Sequence, residues 1–538
     1  MAPPSDRVRT LARERFGFSE LRPGQLRAVE SVLAGRDVLA VLPTGAGKSA
    51  IYELAGLLTA GPTVIITPLI ALENDQQAHL TAAGLPTTVL NSSLSKHAWR
   101  DALAAAGRPD EFVFVSPEEL SNAEVGSVLS GAEPGLFVVD EAHLVSQWGQ
   151  DFRPDYLRLG AQADALGARV RLALTATAAP PVRAEISRRL GLRDPDTVVG
   201  DFDRPGIELS VHRVASAADK QRELESAASE LPGPGIVYAA TRASATLARD
   251  VLAGAGHSVT LYHAGLSASE RRAAMEAFLG GSARIVCATV AFGMGIDKPD
   301  VRWVLHADVP GSLDAYYQEF GRAGRDGEPA HARLLYRPAD LAQARHLSAR
   351  PVSEKSVAAV ARQLAAGTGE TDPAALSGAL GLSARTVTLA LARLADVGAA
   401  CWGPQGMAGW TGAEEVSGAL EASREETERT REVERSRLEM MRRYAETTGC
   451  RRSFLLSYFG QHYPGPCGAC DNDVLRRADE AGPQPFGLGE RVVSERWGEG
   501  TVQRYDGDQL TVLFDDHGYR DLLVPLVLER ELLRPLDG

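Results

Sequence analysis

The chain has 538 residues and a formal net charge of −13 at pH 7, from 57 basic and 70 acidic residues. This balance excludes a generally basic nucleic-acid coat protein but allows a local basic groove. A hydrophobic fraction of 44% predicts a folded protein of about three to four domains, and five cysteines are too few for a disulfide scaffold. With no signal-like N-terminus and no long apolar run, a cytoplasmic, nucleoid-associated protein is expected.

Short apolar runs alternate with stretches of helical periodicity from residue 38 to about residue 345. Runs of β-branched residues without polar alternation suit parallel strands that are covered on both faces. Two blocks of such runs therefore predict two tandem α/β domains, residues 1–204 and 205–345. The predicted strands are residues 38–42, 64–67, 112–116, 136–139, 172–174, 235–238, 259–262, 285–288, 303–306 and 332–335.

Residues 346–415 are rich in alanine and predict a separate helical domain. Within it, Ser383 is placed to cap the second helix of a helix-turn-helix. Val387, Leu391 and Leu394 would form the buried stripe of that helix, and the domain resembles a winged helix. Because it carries few basic residues, structural packing is as consistent with the pattern as DNA binding.

The last part of the chain predicts two further modules. Residues 416–480 combine a long charged helix with a cysteine cluster, and residues 486–538 show short alternating strands separated by turns. The second pattern predicts a small SH3-like or Tudor-like β-barrel. Trp497 and Tyr505 fit either its core or a contact with a protein or nucleic-acid partner.

Residues 43–49 read PTGAGKS between a predicted strand and a predicted helix. Such a loop wraps phosphates with backbone N–H groups, so Thr44, Gly45 and Gly47 are candidate nucleotide-binding residues. Lys48 would reach the β- and γ-phosphates, and Ser49 would ligate Mg²⁺. The loop lacks the first glycine of the usual G-x-x-x-x-G-K-S pattern.

Asp140, Glu141 and His143 belong to a DEAH sequence that directly follows a predicted strand. Adjacent carboxylates at a strand end can divide the work of hydrolysis. Asp140 would hold the Mg²⁺ that bridges phosphate oxygens, and Glu141 would act as the general base on the attacking water.

Residues 318–325 read QEFGRAGR and provide two arginines three positions apart. Arginines aimed at a γ-phosphate from a neighbouring domain stabilise the charge of the transition state. Arg322 and Arg325 are therefore candidate catalytic residues, together with Gln318 of the same segment. The alternative is an ordinary basic surface helix.

The order of these motifs resembles that of superfamily two helicases, and within them the RecQ family of DNA helicases. The resemblance covers residues 12–340 and the cysteine region. The matching segments are LRPGQ at 21–25, VIITPLIAL at 64–72, LTATA at 174–178, ATVAFGMGIDKP at 288–299 and the aromatic-rich SQWGQDFRP at 146–154. Gln150 stands where the family usually has histidine.

The resemblance implies two RecA-like domains that bind ATP with Mg²⁺ and move 3′→5′ along single-stranded DNA, in DNA repair or recombination. Gln25 would read the adenine edge, with Phe18 and Arg22 packing near the base. Single-stranded DNA and tailed duplex DNA are the expected partners, contacted in the second domain by Thr241, Arg242 and Thr289.

The residue types of the aromatic-rich segment also predict DNA contacts without reference to the resemblance. Trp148 and Phe152 offer ring faces to bases, worth about 1–3 kcal/mol per stacked base, and Arg153 offers a phosphate contact. Because the segment lies just after Glu141, it would report DNA occupancy to the hydrolytic site.

Cys450, Cys467 and Cys470 show a C-x₂-C spacing that suits a zinc site. The matching family module has a fourth cysteine where Asp473 stands here. Three outcomes stay open: Asp473 completes the site, His462 completes it, or no zinc is bound.

Three functions fit this sequence. The first is a RecQ-like DNA helicase, and the second is a DNA-dependent ATPase that translocates without separating strands. The third is a partner-recruiting regulator with a vestigial ATPase, against which the intact Lys48, Asp140, Glu141 and Arg325 argue.

Overall fold

The computed structural model describes residues 4–68, 70–91, 94–146, 154–293, 298–348, 352–367, 369–403, 406–475, 484–506 and 508–536. The chain divides into two units. The first comprises Met1–Gly200 and Pro351–Thr430, and the second comprises Asp201–Arg350 and Arg431–Gly538. The helical segment predicted at residues 346–415 thus lies in the first unit from residue 351 onward.

The first unit is built on a seven-stranded parallel sheet. In order across the sheet, its strands are Thr87–Leu90, Phe112–Val115, Thr63–Ile66, Leu136–Val139, Val170–Thr175, Val38–Val41 and Asp196–Val199. The five inner strands correspond to the predicted apolar runs. The two edge strands were missed, because each has partly exposed positions that break the apolar run.

Helices of the first unit accompany this sheet, and the first four of them bury one apolar cluster against it. They are Pro4–Phe16, Pro23–Leu33, Ser49–Gly56, Ile70–Ala82, Lys96–Ala106, Pro117–Leu120, Ala123–Gly131, Leu159–Ala165 and Pro180–Arg189, with 3₁₀ turns at Ala142–Val145 and Pro154–Arg158.

The rest of the first unit contains what we call the helix-turn-helix segment. It comprises helices Glu354–Ala366, Pro373–Leu380 and Ala384–Asp396 and a hairpin of Ala400–Trp402 with Ala408–Trp410. The second and third helices meet at a bend of 114°, and Ser383 caps the third by accepting a hydrogen bond from the Thr386 amide. Among the described residues, no single helix is long and apolar enough to cross a membrane; this bent pair passes that test by length and composition only.

The second unit is built on a six-stranded parallel sheet. Its strands, in order, are Val259–Tyr262, Ile285–Ala288, Gly235–Tyr238, Trp303–His306, Ala330–Tyr336 and Ile207–Arg213. Ile207–Arg213 was not predicted, since it is an edge strand with an interrupted burial pattern. The tandem parallel sheets confirm the predicted α/β core.

The helices of the second unit are Ala217–Glu230, Arg242–Gly254, Ala268–Leu279, Leu313–Phe320, Asp340–Ser348, Arg451–Tyr458, Asp471–Leu475 and Val524–Glu529. The predicted long charged helix is one continuous helix, Val416–Glu446, and the division between the units falls within it.

The chain ends in a five-stranded antiparallel sheet of Gly518–Leu523, Gln509–Phe514, Gly498–Asp506, Arg491–Ser494 and Arg534–Pro535. Trp497 and Tyr505 pack against its apolar core. The sheet packs on helix Arg451–Tyr458, because the Tyr519 ring stacks on that of Tyr458 at 5.2 Å and the Arg504 guanidinium lies 3.8 Å from the centre of the Phe454 ring.

Candidate functional site

The glycine-rich loop of residues 43–48 links strand Val38–Val41 to helix Ser49–Gly56. Gly45 and Gly47 have φ angles of 79° and 71°, in the region that favours glycine. A Cβ atom on Gly47 would lie 2.6 Å from the side-chain nitrogen of Gln25. The loop therefore needs glycine both for its conformation and for the space that Gln25 fills.

Two residues assigned to adenine brace this loop. Arg22 donates from Nη1 to the Gly45 carbonyl at 2.9 Å. Gln25 donates from Nε2 to the carbonyls of Ala46 and Gly47, both at 2.9 Å. Sequence reasoning missed these bonds, which make Arg22 and Gln25 positioning residues of the loop.

Phe18, the third residue assigned to the base, stacks on the Phe16 ring with centroids 5.6 Å apart. It is partly buried against the core of the first unit.

The acidic pair follows strand Leu136–Val139 at the carboxyl edge of the same sheet as the glycine-rich loop. Burial, followed by repulsion from Glu141, raises the pKa of Asp140 to about 6, and the charge of Lys48 opposes this shift. A buried acidic pair whose carboxylates repel each other fits a divalent cation, because the cation would stabilise both carboxylates.

Glu141 adopts a left-handed backbone conformation with a φ of 48°. Such strain in a residue other than glycine is typical of functional sites. The Oε2 atom of Glu141 lies 3.3 Å from Nδ1 of His143, which in turn lies 3.0 Å from the Thr175 hydroxyl. The His143 ring therefore contacts both the Glu141 carboxylate and the Thr175 hydroxyl.

The remaining predicted catalytic residues lie in the second unit. Gln318 is partly buried on helix Leu313–Phe320, and Arg322 and Arg325 occupy the turn after it. This turn is braced by Arg204, which donates to the carbonyls of residues 321 and 323 at 3.0 and 2.9 Å. Arg322 is 7% exposed.

The predicted DNA-contacting residues fall into two groups. Trp148, Phe152 and Arg153 lie outside the described residues. Thr241 and Thr289 follow two paired strands of the second sheet, so they lie at one carboxyl edge. The Thr241 hydroxyl also caps helix Arg242–Gly254 by accepting from the Ser244 amide at 3.0 Å.

The cysteine cluster converges in the second unit. The ligand atoms of Cys450, Cys467, Cys470 and Asp473 all lie within 4.8 Å of one another, whereas His462 is exposed and stands outside this group. Asp473 accepts hydrogen bonds at Oδ2 from the backbone amides of residues 467 and 468, at 2.6 and 3.0 Å. Its Oδ1 atom is buried without a hydrogen-bond partner among the described residues. Three thiols and one oriented carboxylate fit a tetrahedral Zn²⁺.

Two parallel-sheet units, one of which joins a glycine-rich phosphate loop to an acidic pair, define a nucleotide-hydrolysing motor of the helicase class. Family models agree: residues 22–185 match the DEAD/DEAH box helicase model, residues 219–327 the helicase conserved C-terminal domain, and residues 413–474 the RecQ zinc-binding model.

Similar proteins of known family identify which helicases this chain resembles. The chain is 38% identical over 352 residues to the probable ATP-dependent DNA helicase RecS of Bacillus subtilis, covering 65% of this chain and 71% of the relative. It is 32% identical to the ATP-dependent DNA helicase RecQ of Pasteurella multocida, covering 85% of this chain and 60% of that protein. The chain belongs to the RecQ family of ATP-dependent DNA helicases, whose cofactors are ATP and Mg²⁺.

Solved structures support the fold alone. The DUF1998 helicase MrfA bound to DNA is 18% identical, with a TM-score of 0.53 over 78% of this chain and 64% of that chain. The Mycobacterium smegmatis helicase Lhr bound to single-stranded DNA and AMP-PNP is 21% identical, with a TM-score of 0.52 over 80% of this chain and 63% of that chain.

Proposed function

We propose that this protein hydrolyses ATP to move 3′→5′ along single-stranded DNA and unwinds duplex DNA during repair or recombination. The main support for this proposal is that one chain contains the phosphate loop, the acidic pair and the thiol cluster. The names of the relatives support DNA as the substrate, although the chain spans only 71% and 60% of the two compared above.

The first unit supplies the hydrolytic groups. Lys48 neutralises the γ-phosphate, and Glu141 takes the proton of the attacking water while His143 holds its carboxylate. Ser49 and Asp140 would hold Mg²⁺, which supplies charge neutralisation to the phosphate oxygens when bound. Arg322 and Arg325 are proposed to stabilise the developing charge on the same phosphate, with Gln318 in support.

Contacts with DNA are assigned to the aromatic-rich segment, through Trp148, Phe152 and Arg153, and to Thr241, Arg242 and Thr289 of the second unit. The carboxyl edge of a parallel sheet is where such folds bind ligands. This placement supports Thr241 and Thr289 as residues that contact the backbone of the DNA strand.

The zinc site is proposed to use Cys450, Cys467, Cys470 and Asp473. Two backbone amides hold one oxygen of Asp473 and leave the buried Oδ1 for the metal. The site would fasten the turn of residues 467–470 to helix Arg451–Tyr458, which starts next to Cys450.

The accessory parts are proposed to be a winged-helix-like domain, residues 346–415, and a small SH3-like barrel, residues 486–538. Three helices and a two-stranded hairpin support the first, and the five-stranded antiparallel sheet supports the second. The barrel is proposed to recruit a protein or nucleic-acid partner, and the whole protein to associate with the nucleoid.

Strand displacement tests the proposed activity. The purified protein with ATP and Mg²⁺ should release the strand of a duplex that carries a 3′ tail and leave a 5′-tailed duplex paired. ATP hydrolysis without stimulation by single-stranded DNA would refute the DNA motor.

A second candidate is a DNA-dependent translocase that does not separate strands. It is favoured by the order of the modules: the helix-turn-helix segment precedes the thiol cluster and an antiparallel sheet follows it. In the RecQ family that the sequence resembles, the winged helix follows the zinc module. DNA-stimulated hydrolysis with no strand release from either tailed duplex would select this candidate.

A further inference from the structure

The third helix of the helix-turn-helix segment, Ala384–Asp396, is buried on two sides. One side, with Val387, Leu391 and Leu394, belongs to the apolar core of the segment itself. The second side is a stripe of Thr388, Ala392 and Asp396, spaced four residues apart and therefore on one face of the helix. Thr388 is 6% exposed and Ala392 is 1% exposed.

This second stripe faces elements of the parallel-sheet part of the first unit. Thr388 receives a hydrogen bond from Nη2 of Arg158 at 3.4 Å. The Arg158 guanidinium also lies 4.7 Å from the centre of the Trp402 ring, on the hairpin of the segment. Arg158 is the last residue of the 3₁₀ turn Pro154–Arg158. The helix-turn-helix segment therefore contacts the chain shortly after the DEAH sequence.

Asp396, at the other end of the stripe, starts a buried polar chain that leads to the DEAH turn. Nη2 of Arg189 donates to Asp396 at 3.0 Å, and Nε of Arg189 donates to Glu185 at 2.7 Å. Glu185 in turn accepts from the hydroxyl of Ser146 at 2.5 Å. The side chains of Arg189, Glu185 and Asp396 are 8%, 3% and 9% exposed, and Ser146 is 1% exposed.

Ser146 lies at the end of the turn that carries the catalytic carboxylate. It caps the 3₁₀ turn Ala142–Val145, and its amide donates to the His143 carbonyl at 3.0 Å. His143 is the residue whose ring lies against Glu141 and Thr175. Low solvent access makes each link of such a chain stronger and makes a broken link costly.

We propose that the helix-turn-helix segment acts as an intramolecular support of ATP hydrolysis, in which Asp396 is a positioning residue that acts through Arg189, Glu185 and Ser146 on the DEAH turn. This inference rests on the proposed ATPase function. It assigns the stripe of helix Ala384–Asp396 to a contact within the first unit, so these three side chains are not available to contact DNA bases.

The experiment measures steady-state ATP hydrolysis by the full-length protein with saturating single-stranded DNA. Asp396→Asn should lower kcat about tenfold and leave KM for ATP within about twofold, since the loop that binds the phosphates is untouched. Ser146→Ala should give the same pattern from the other end of the chain. Asp396→Glu should restore at least half of the wild-type kcat.

Arg188→Ala is the matched control. Arg188 also lies near Asp396, at 3.6 Å, but its side chain is 55% exposed, so its removal should leave kcat unchanged. The double variant Asp396→Asn with Ser146→Ala should be no slower than either single variant, because both break one chain.

Wild-type kcat in Asp396→Asn and Ser146→Ala, or independent multiplicative losses in the double variant, would overturn the inference. A loss of kcat that only follows a loss of folded protein, measured by thermal unfolding of each variant, would overturn it as well. Failure of the proposed function has a different signature, since the wild-type protein itself would then hydrolyse no ATP.

Discussion

Glu53 is a buried acid on the helix that follows the phosphate loop. It is 0% exposed, and burial raises its pKa from 4.5 to about 7, although the Ser49 hydroxyl lowers it in part. The Nε2 atom of His79 lies 3.8 Å from Oε1 of Glu53. Because the folded state holds this proton more tightly than the unfolded state, the stability from the protonated carboxyl is full below pH 4.5 and is lost as the pH rises to 7.

A pKa raised from 4.5 to about 7 corresponds to about 3 kcal/mol of free energy of unfolding. Glu53→Gln removes the titration and keeps the size of the side chain. The stability of the variant relative to wild type should therefore increase by about 3 kcal/mol between pH 4.5 and pH 8. Any cost of burying the amide is the same at every pH and cancels from this difference.

Urea unfolding of both proteins without ATP, at half-unit pH steps, measures the effect. Glu124→Gln, which removes an exposed carboxylate from the same unit, is the control and should follow the wild-type curve. Parallel stability curves for wild type and Glu53→Gln across this pH range would refute the reasoning, since they would show that the Glu53 carboxyl titrates alike in both states.

Other predictions address the chemistry. Lys48→Ala should leave a folded protein with almost no ATP turnover in a phosphate-release assay, because the phosphates lose their pre-placed cation. Glu141→Gln should retain ATP binding but hydrolyse at least about 100-fold more slowly, and wild-type turnover would reject it as the general base. Trp148→Ala should reduce the ratio of DNA-stimulated to basal hydrolysis; an unchanged ratio would remove its coupling role. Asp473→Cys should retain zinc longer against a chelator than wild type and Asp473→Ala should lose it sooner, because thiolate is the softer ligand. His462→Ala should retain zinc as long as wild type does. A purified wild-type protein that contains no zinc by elemental analysis would contradict the site.

The local sequence was sufficient for features that depend on neighbouring residues. Apolar runs without polar alternation predicted the inner strands of both sheets. A strand that is buried on both faces has no solvent-exposed positions, so its sequence does not alternate with polar residues. The glycines of the phosphate loop and the spacing of the thiols likewise reflect constraints that act over a few residues. These patterns also carried the family resemblance, which the comparisons confirm.

Only the tertiary structure decided which distant groups meet. It brought Asp473 rather than His462 to the thiols, and it turned Gln25 onto the carbonyls of the phosphate loop. It also joined Asp396 to Arg189, 207 positions away in the chain. A pair such as Asp396 and Arg189 forms when segments far apart in the chain pack together, and the residues next to a carboxylate in the sequence do not show which arginine will contact it. For this reason, the sequence alone left the helix-turn-helix segment divided between DNA binding and structural packing, and its contacts within the first unit favour the latter.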